Sequence, residues 1–276
     1  MILTDTHCHL DLEKFDEDRA EVLERAWTAG LTRILIPGLD LPSSRRAVKL
    51  AASHPNLFAA IGVHPNDSLT WNEASLAELR QLAGAQRPKI VAIGEIGLDY
   101  YWNEAPRDHQ RRVLAAQLAL AAELQLPVIL HLREAGDAPA GDCARDLLDI
   151  LEPWVENLRV TDNPLVQRPG VLHSFSGSWE IAARALDLNF FLGLTGPVTY
   201  KNAQARREVA ARIPLKCLLL ETDAPFLAPV PQRGQRNEPA FVGHIADKIA
   251  EIHSRNPAEI AAQTTANAAR LFAWEV

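Results

Sequence analysis

Short apolar runs alternate with longer amphipathic stretches along the 276-residue chain. Short runs that are apolar throughout are typical of strands buried on both faces in a parallel sheet. The pattern predicts eight such strands, at residues 2–6, 33–37, 57–63, 90–95, 127–131, 170–173, 190–194 and 217–221.

The stretches between these runs show helical spacing of apolar residues. The pattern predicts helices at residues 16–29, 106–124, 142–151 and 202–212, and two more within 239–273 that pack back onto the sheet. Strict alternation of strands and helices favours one closed (β/α)8 TIM-type barrel over residues 1–276, rather than an open doubly wound sheet. Polar loops are expected at residues 133–141, on the rim of carboxyl strand ends, and at 157–169, on the opposite face.

Composition narrows the functional classes. The net charge of −7 argues against a broad phosphate-binding surface, although bound metal ions could still attract a phosphate locally. No apolar run approaches the roughly 18 residues of a membrane span, and no signal peptide is predicted. Three cysteines without CxxC spacing favour the reducing cytoplasm. No obligate protein partner is inferred.

Two histidines stand at the end of the first predicted strand. His7 and His9 are one residue apart, so in an extended strand they point to the same face and could bind one divalent metal. Asp5 falls on that face as well and is a candidate partner of these rings. Taken alone, the pair could equally be ordinary polar residues.

Metal-competent side chains recur at the later strand ends. In a barrel these ends form one rim, which carries the active site. Any one residue could be a core or turn residue, but a shared metal centre would remove the desolvation cost of all of them together. The additional candidates are His64, Glu95, His131, His173 and Asp223.

Four of these histidines, together with the glutamate and the aspartate, suit two divalent ions. Two such ions could activate a bridging water and clamp the attacked phosphoryl or acyl oxygen. Asp223 could ligate metal and also act as the general base. The metal could be Zn, Mg, Mn or Co, since mixed imidazole and carboxylate sites accept each of them in part.

These motifs resemble the TatD-type metal-dependent deoxyribonucleases, within the amidohydrolase-like superfamily. The resemblance runs from end to end of the chain, and it implies a (β/α)8 barrel, two divalent ions and phosphodiester hydrolysis, often from a 3′ end of DNA. The matching residues are 5–10 (DTHCHL), 94–101 (GEIGLDYY), His131, 173–177 (HSFSG), 221–227 (ETDAPFL) and 236–239 (RNEP).

The resemblance also implies individual roles. One metal would be held by His7, His9, Glu95 and Asp223, and the other by Glu95, His131 and His173, with Glu95 bridging and with Glu95 and Asp223 as the catalytic carboxylates.

The resemblance also implies that the substrate is nucleic acid, and single-stranded DNA ends are expected. Two further residues are assigned to this substrate. His64 would face the substrate phosphate. Arg236 would contact the substrate or order the last loop, unless it only forms a surface salt bridge. Tyr100 and Tyr101 could stack a base, although core packing is favoured.

Some rim residues depart from the family pattern. Residues 132–135 are Leu-Arg-Glu-Ala where the family tends to have Ser-Arg-Asp-Ala, and Asn66 stands where a second histidine is common. Since rim residues set substrate choice in barrels, a hydrolase of small amides, esters or lactones remains the alternative. Such enzymes often use a carboxylated lysine on the fourth strand, whereas this chain has Glu95 there and Lys89 before the strand. A binding protein without catalysis would show gaps among the six ligands, and the sequence shows none.

Overall fold

A computed structural model describes residues 1–274, which contain one sheet of eight parallel strands in sequential order. The strands are β1 (Leu3–Asp5), β2 (Leu31–Pro37), β3 (Leu57–Ile61), β4 (Ile90–Asp99), β5 (Val128–Arg133), β6 (Gly170–Leu172), β7 (Phe191–Leu194) and β8 (Leu218–Leu220).

Helices follow the strands on the outside of the sheet. They are α1 (Arg19–Thr28), α2 (Leu41–Ala52), α3 (Glu73–Ala85), α4 (Arg107–Leu124), α5 (Asp142–Val160), α6 (Trp179–Asp187), α7 (Gln204–Arg212), α8 (Val242–His253) and α9 (Pro257–Phe272). Among the described residues, no helix is long and apolar enough to cross a membrane.

The sheet closes where β8 meets β1. The N–H of Thr6 donates to the carbonyl of Leu220 at 3.2 Å, and the N–H of Asp223 donates to the carbonyl of His7 at 2.8 Å. These bonds join the carboxyl ends of the first and last strands, so that all the strand ends surround one mouth. The predicted (β/α)8 barrel is therefore confirmed.

The amino-terminal end of the barrel, opposite the mouth, is filled by the last residues of α9. Inward-facing residues of the strands, such as Leu35, Ile129 and Leu219, form one buried cluster with Leu271 and Phe272 of α9. This apolar plug closes the amino-terminal end of the barrel. The cavity that remains lies at the mouth formed by the carboxyl strand ends.

Strand β4 is longer than predicted. The sequence predicts an end at Glu95, but the strand continues to Asp99 and pairs with β5, with Gly97 opposite His131 and Asp99 opposite Arg133. Gly97 makes this possible, because its φ is +142° and a Cβ there would lie 2.1 Å from the carbonyl oxygen of His131. Strand β5 likewise runs past His131, its predicted end, to Arg133.

The predicted loop at residues 157–169 is partly wrong, because α5 continues to Val160. A buried stripe of Leu147, Leu151, Val155 and Leu158 carries this helix past its internal proline. Helices α2, α3 and α6 are not among those delineated from the sequence. The remainder of 157–169 precedes β6 and so lies on the face opposite the mouth, as expected.

We predict that Gly97→Ala lowers the free energy of unfolding by about 1–3 kcal/mol or more, since the new methyl group would collide with backbone at a positive φ. Chemical denaturation of both proteins measures this difference. Gly84→Ala is the control: this glycine lies exposed near the end of α3, and a methyl group added there would have no atom within 4 Å. There alanine should be neutral or stabilising by up to about 1 kcal/mol. Equal stability of Gly97→Ala and the wild type would contradict this account of the β4–β5 contact.

Candidate metal centre

His7 and His9 follow β1 and direct their rings to one point above the barrel axis. Their Nε2 atoms lie 3.2 Å apart. The Oε2 atom of Glu95 is 3.1 Å from Nε2 of His7, and the Oδ1 atom of Asp223 is 3.4 Å from Nε2 of His9. The Nδ1 atoms of both rings have no hydrogen-bond partner among the described residues. The Nε2 atoms therefore make the polar contacts of the two rings.

These separations fit a bound cation. Zinc–nitrogen bonds of about 2.0–2.1 Å in tetrahedral geometry place neighbouring ligand atoms about 3.3 Å apart. The three distances above are 3.1, 3.2 and 3.4 Å. All of these side chains are of types that can ligate metals, and His7, His9 and Glu95 are buried. These residues are positioned for metal binding.

The second oxygen of Glu95 faces a different pair of histidines. Oε1 lies 2.9 Å from Nδ1 of His131 and 3.7 Å from Nε2 of His64. The rings of His64 and His131 contact each other edge to face, with centroids 4.4 Å apart. One buried carboxylate thus joins two groups of imidazoles, which is the arrangement expected of a bridging ligand.

His173 lies on the other side of the centre from the position implied by the resemblance. Its ring stacks on His7 at 3.4 Å between centroids, and its Nε2 is 3.8 Å from Oδ1 of Asp223. It groups with His7 and Asp223, whereas His64 groups with Glu95 and His131. The structure therefore brings all six predicted ligands to the mouth but associates His64, rather than His173, with His131.

Two acids that sequence reasoning did not assign hold the histidines in place. Asp99 Oδ2 lies 2.9 Å from Nε2 of His131, and Glu221 Oε2 lies 2.9 Å from Nδ1 of His173. Asp99 shares a strand face with Glu95, four residues earlier, so a longer predicted β4 would have revealed it. Glu221 directly follows β8 and lies two residues before Asp223. His7 and His9 have the same spacing, which places two side chains on one face of an extended chain, so this spacing could have identified Glu221.

Asp5 supports the centre through the backbone rather than through a ring. Its carboxylate accepts hydrogen bonds from the N–H of His7 at 3.2 Å and of Thr222 at 2.9 Å, and from the Thr222 hydroxyl at 2.5 Å. These bonds tie β1 to the segment after β8. Asp223 follows with φ of +57°, an uncommon conformation for a residue other than glycine and one often found at functional sites.

The charges of the centre follow from these contacts. Burial alone would raise the pKa of Glu95, but His7 and His173 hold that pKa well below its usual range. Burial opposes charge on His131, yet its hydrogen bonds to Asp99 and Glu95 raise its pKa to about 9. Burial and the adjacent His131 lower the pKa of His64 to about 3. At neutral pH the centre therefore holds ionised carboxylates together with a neutral His64.

The centre opens into a cavity of about 810 Å³, within the range of small-molecule sites. Asp67, Asp137 and Arg133 line its rim together with the aromatic side chains of Trp102 and Phe226. The loop after β5 contributes Asp137, so its predicted place on this rim is confirmed. The cavity is large enough to admit part of a substrate that extends beyond the metal ligands.

Comparison with known proteins identifies the family. Residues 4–273 match the family model described as TatD related DNase. The chain belongs to this family. The TatD family assignment made from the motifs is thus confirmed, and with it the class, a metal-dependent hydrolase acting on ester bonds.

Several relatives match this TatD-family chain over nearly its whole length. It is 42% identical to the uncharacterized metal-dependent hydrolase YabD of Bacillus subtilis, covering 98% of this chain and 99% of that protein. It is 38% identical to the 3′-5′ ssDNA/RNA exonuclease TatD of Salmonella typhimurium, with 97% and 98% covered. The crystal structure of YJJV, a TatD homologue from Escherichia coli, superposes with a TM-score of 0.87 at 34% identity, covering 99% and 98% of the two chains.

In this TatD-family chain, the Arg-Asn-Glu-Pro motif at residues 236–239 holds the loop between β8 and α8 in place. The Arg236 guanidinium donates to both carboxylate oxygens of Asp18 at 2.7 Å, and Glu238 pairs with Arg25 at 2.7 Å. Asn237 donates to the carbonyl of Thr222 at 2.8 Å. Arg236 is not among the residues that line the cavity. The geometry favours its predicted role of ordering the loop over direct substrate contact.

We predict that Glu95→Gln loses most of the metal that the wild-type protein binds. The amide keeps the shape of the carboxylate but removes the charge that the two imidazole groups share, and a cation loses its anionic ligand. Elemental analysis of dialysed protein gives the metal content per chain. Glu123→Gln, on the exposed face of α4, is the control and should retain the wild-type content. Full metal occupancy in Glu95→Gln would exclude a bridging role.

We predict that Arg236→Ala and Asp18→Asn have similar effects, because both remove the solvent-accessible ion pair between these residues. Arg236→Ala also removes a hydrogen bond to the carbonyl of Lys14, and Asp18→Asn weakens a second contact with Arg25. Each should lower stability by at most about 1 kcal/mol and change KM to a similar, small extent. Thermal unfolding and steady-state kinetics of the two variants provide the comparison. A large rise in KM in Arg236→Ala alone would show that the guanidinium contacts substrate.

Proposed function

We propose that the protein is a 3′-5′ exodeoxyribonuclease that removes nucleotides from single-stranded DNA ends with two divalent cations. The observation that carries this proposal is Glu95, whose two oxygens face two separate groups of imidazoles. A carboxylate between two ligand groups is typical of sites in which paired metals act on phosphate esters. The relatives named as 3′-5′ ssDNA/RNA exonucleases support the same substrate and direction.

The proposal gives separate roles to the residues of the centre. His7, His9, Glu95 and Asp223 would hold one cation, and Glu95, His131 and His173 the other, while His64 would face the substrate. Bound cations would lower the pKa of a water molecule and polarise the scissile phosphate. Asp223 lies at the edge of the cavity with 15% of its side chain exposed. It is therefore placed to accept the proton of the attacking water as general base.

His64 is suited to donate a hydrogen bond to the phosphate. Its Nδ1 accepts a hydrogen bond from the N–H of Asn66 at 3.2 Å. The neutral ring then carries its proton on Nε2, the atom directed to the cavity. A donor in this position stabilises negative charge on a phosphate oxygen. The same tautomer is unsuited to metal ligation through Nε2, which supports the predicted contact with substrate.

The position of Lys89 favours a phosphodiesterase over a hydrolase of small amides or lactones. A metal-bridging carboxylated lysine would have to lie at the mouth on β4. Lys89 instead precedes β4, and its Nζ donates to the backbone carbonyls of His54 and Leu57 at 2.6 and 3.0 Å. At the mouth, β4 carries Glu95, which we propose as the bridging ligand. The cytoplasmic location and the lack of an obligate protein partner stay predictions.

We predict that the purified protein with Zn²⁺, Mn²⁺ or Mg²⁺ shortens single-stranded DNA from its 3′ end. A 5′-labelled oligonucleotide should give a ladder of shorter labelled products on a sequencing gel, whereas a strand with a blocked 3′ end should stay intact. RNA of the same sequence tests the second nucleic acid. Intact oligonucleotides together with hydrolysis of small esters or lactones would overturn the proposal in favour of the alternative hydrolase.

Asp223→Asn is the matching variant in this assay. It should keep the fold, checked by circular dichroism and thermal unfolding, and lose about 10²–10⁴ in turnover because the proton acceptor is removed. Asp247→Asn, at an exposed position of α8, serves as the control and should keep wild-type turnover. Unchanged turnover in Asp223→Asn would remove this carboxylate from the mechanism.

A further inference from the structure

An exposed tryptophan stands beside the proposed metal centre. Trp102 follows β4, has 47% of its surface exposed and lines the cavity. Aromatic side chains are frequent in the lining of ligand-binding cavities, and this indole is accessible to a ligand that enters the cavity. Tyr100, which the sequence suggested for such a role, is instead buried, and its hydroxyl donates to Asp146 at 2.6 Å.

The backbone of Trp102 is tied to the candidate metal centre through Asp99. Asp99 Oδ1 accepts hydrogen bonds from the N–H groups of Tyr101 at 2.9 Å and Trp102 at 3.0 Å. The other oxygen of Asp99 lies 2.9 Å from His131. One carboxylate therefore fixes both an imidazole of the centre and the backbone that carries the indole. A group stacked on this indole would lie close to the reacting bond.

A cation completes the stacking surface. The Arg133 guanidinium lies over the ring of Tyr101 at 3.8 Å and near that of Trp102 at 5.6 Å, and Asp137 holds it at 2.9 Å. Aromatic rings with an adjacent arginine are the surface on which proteins stack bases of single strands. We call Tyr101, Trp102 and Arg133 the aromatic shelf.

A second cation lines the same cavity without an ion-pair or hydrogen-bond partner among the described residues. Arg206 lies on α7, and the acid that most affects it, Asp137, is already bonded to Arg133. Other arginines of α7 are engaged elsewhere: Arg207 donates to the carbonyl of Tyr200 at 2.6 Å, and Arg212 stacks on Trp179. A half-buried guanidinium that faces a cavity without a protein partner suits a phosphate group.

We propose that the aromatic shelf stacks a base at the 3′ end of the substrate strand and that Arg206 binds a phosphate of the same strand. This proposal rests on the proposed nuclease function and adds the features that recognise a nucleotide rather than any phosphate ester. Tyr101 and Trp102 follow β4, Arg133 is the last residue of β5, and Arg206 lies on α7 after β7. The strand would therefore cross the mouth of the barrel. Stacking tolerates every base, so the subsite selects nucleotides without selecting sequence.

Binding of a hydrolysis-resistant strand tests the shelf. The probe is a 5′-fluorescein single strand with phosphorothioate linkages at its 3′ end, titrated with the metal-loaded protein and followed by anisotropy. Trp102→Ala should weaken binding by about tenfold, and Trp102→Phe should recover most of the loss. The same strand ending in an abasic nucleotide should respond to Trp102→Ala by less than about twofold, since the stacking partner is missing.

A second tryptophan–arginine stack, outside the cavity, is the control for general effects of removing a tryptophan. Trp179, under Arg212, reproduces the tryptophan–arginine stack away from the cavity, and Trp179→Ala should not alter strand binding. Equal losses on natural and abasic strands, or no loss in Trp102→Ala, would overturn the shelf. The outcome is separable from the nuclease proposal, because that proposal fails on the absence of 3′ shortening whatever the binding shows.

Salt dependence tests Arg206. Each phosphate contact to a single strand contributes about −0.7 to the slope of log K against log salt. Arg206→Ala should therefore reduce the steepness of this slope by about 0.7, with both natural and abasic strands. Arg212→Ala, on the same helix, should leave the slope unchanged. An unchanged slope in Arg206→Ala would show that this guanidinium does not contact the substrate backbone.

Discussion

The contact between the Glu95 carboxylate and the surrounding imidazoles determines how the rest of the site is built. Glu95 is 3% exposed, and its oxygens lie 3.1 Å from His7 and 2.9 Å from His131. A charged group at such depth is costly unless opposite charge compensates it. The barrel supplies that compensation from several strand ends at once. Its closure between β8 and β1 is therefore also a condition for the chemistry, because an open sheet would leave Asp223 far from His9.

Glycines allow the supporting acids to approach the strands closely enough. A Cβ on Gly193 of β7 would lie 2.2 Å from the Glu221 carboxylate, and that carboxylate holds His173. A Cβ on Gly97 would meet the backbone of His131. At Gly193 the missing side chain leaves space for the carboxylate that orients a histidine, and at Gly97 it leaves space for the backbone of a histidine itself. The orientation of metal-competent histidines by such partners is a general feature of metal sites, and here it is encoded by glycine and acid together.

The position of the predicted ligands was accessible from the sequence because strand ends can be located from apolar runs. The groups that each of these side chains contacts could not be predicted in the same way. Which histidine faces which oxygen of Glu95 depends on the register and tilt of the barrel, so the exchange of His64 and His173 had no signal in spacing. Asp99 was missed because the apolar run that marks β4 stops four residues before the strand does. A salt bridge of Arg236 was considered from the sequence, but its partner could not be named because Asp18 lies 218 residues away. Helix α5 exceeds its predicted length because its buried stripe continues beyond Pro153.

The link from His131 through Asp99 to Trp102 suggests how one barrel can retain its chemistry while its substrate changes. The candidate ligands lie in strands and directly after them, where packing leaves little freedom. Asp99 also accepts two backbone hydrogen bonds from the start of the following loop, and these bonds restrict the motion of the loop backbone. The identity of side chain 102 is not constrained by those bonds, since they use only its N–H. A rim residue can therefore change from one family member to another without disturbing the imidazole that the same carboxylate holds.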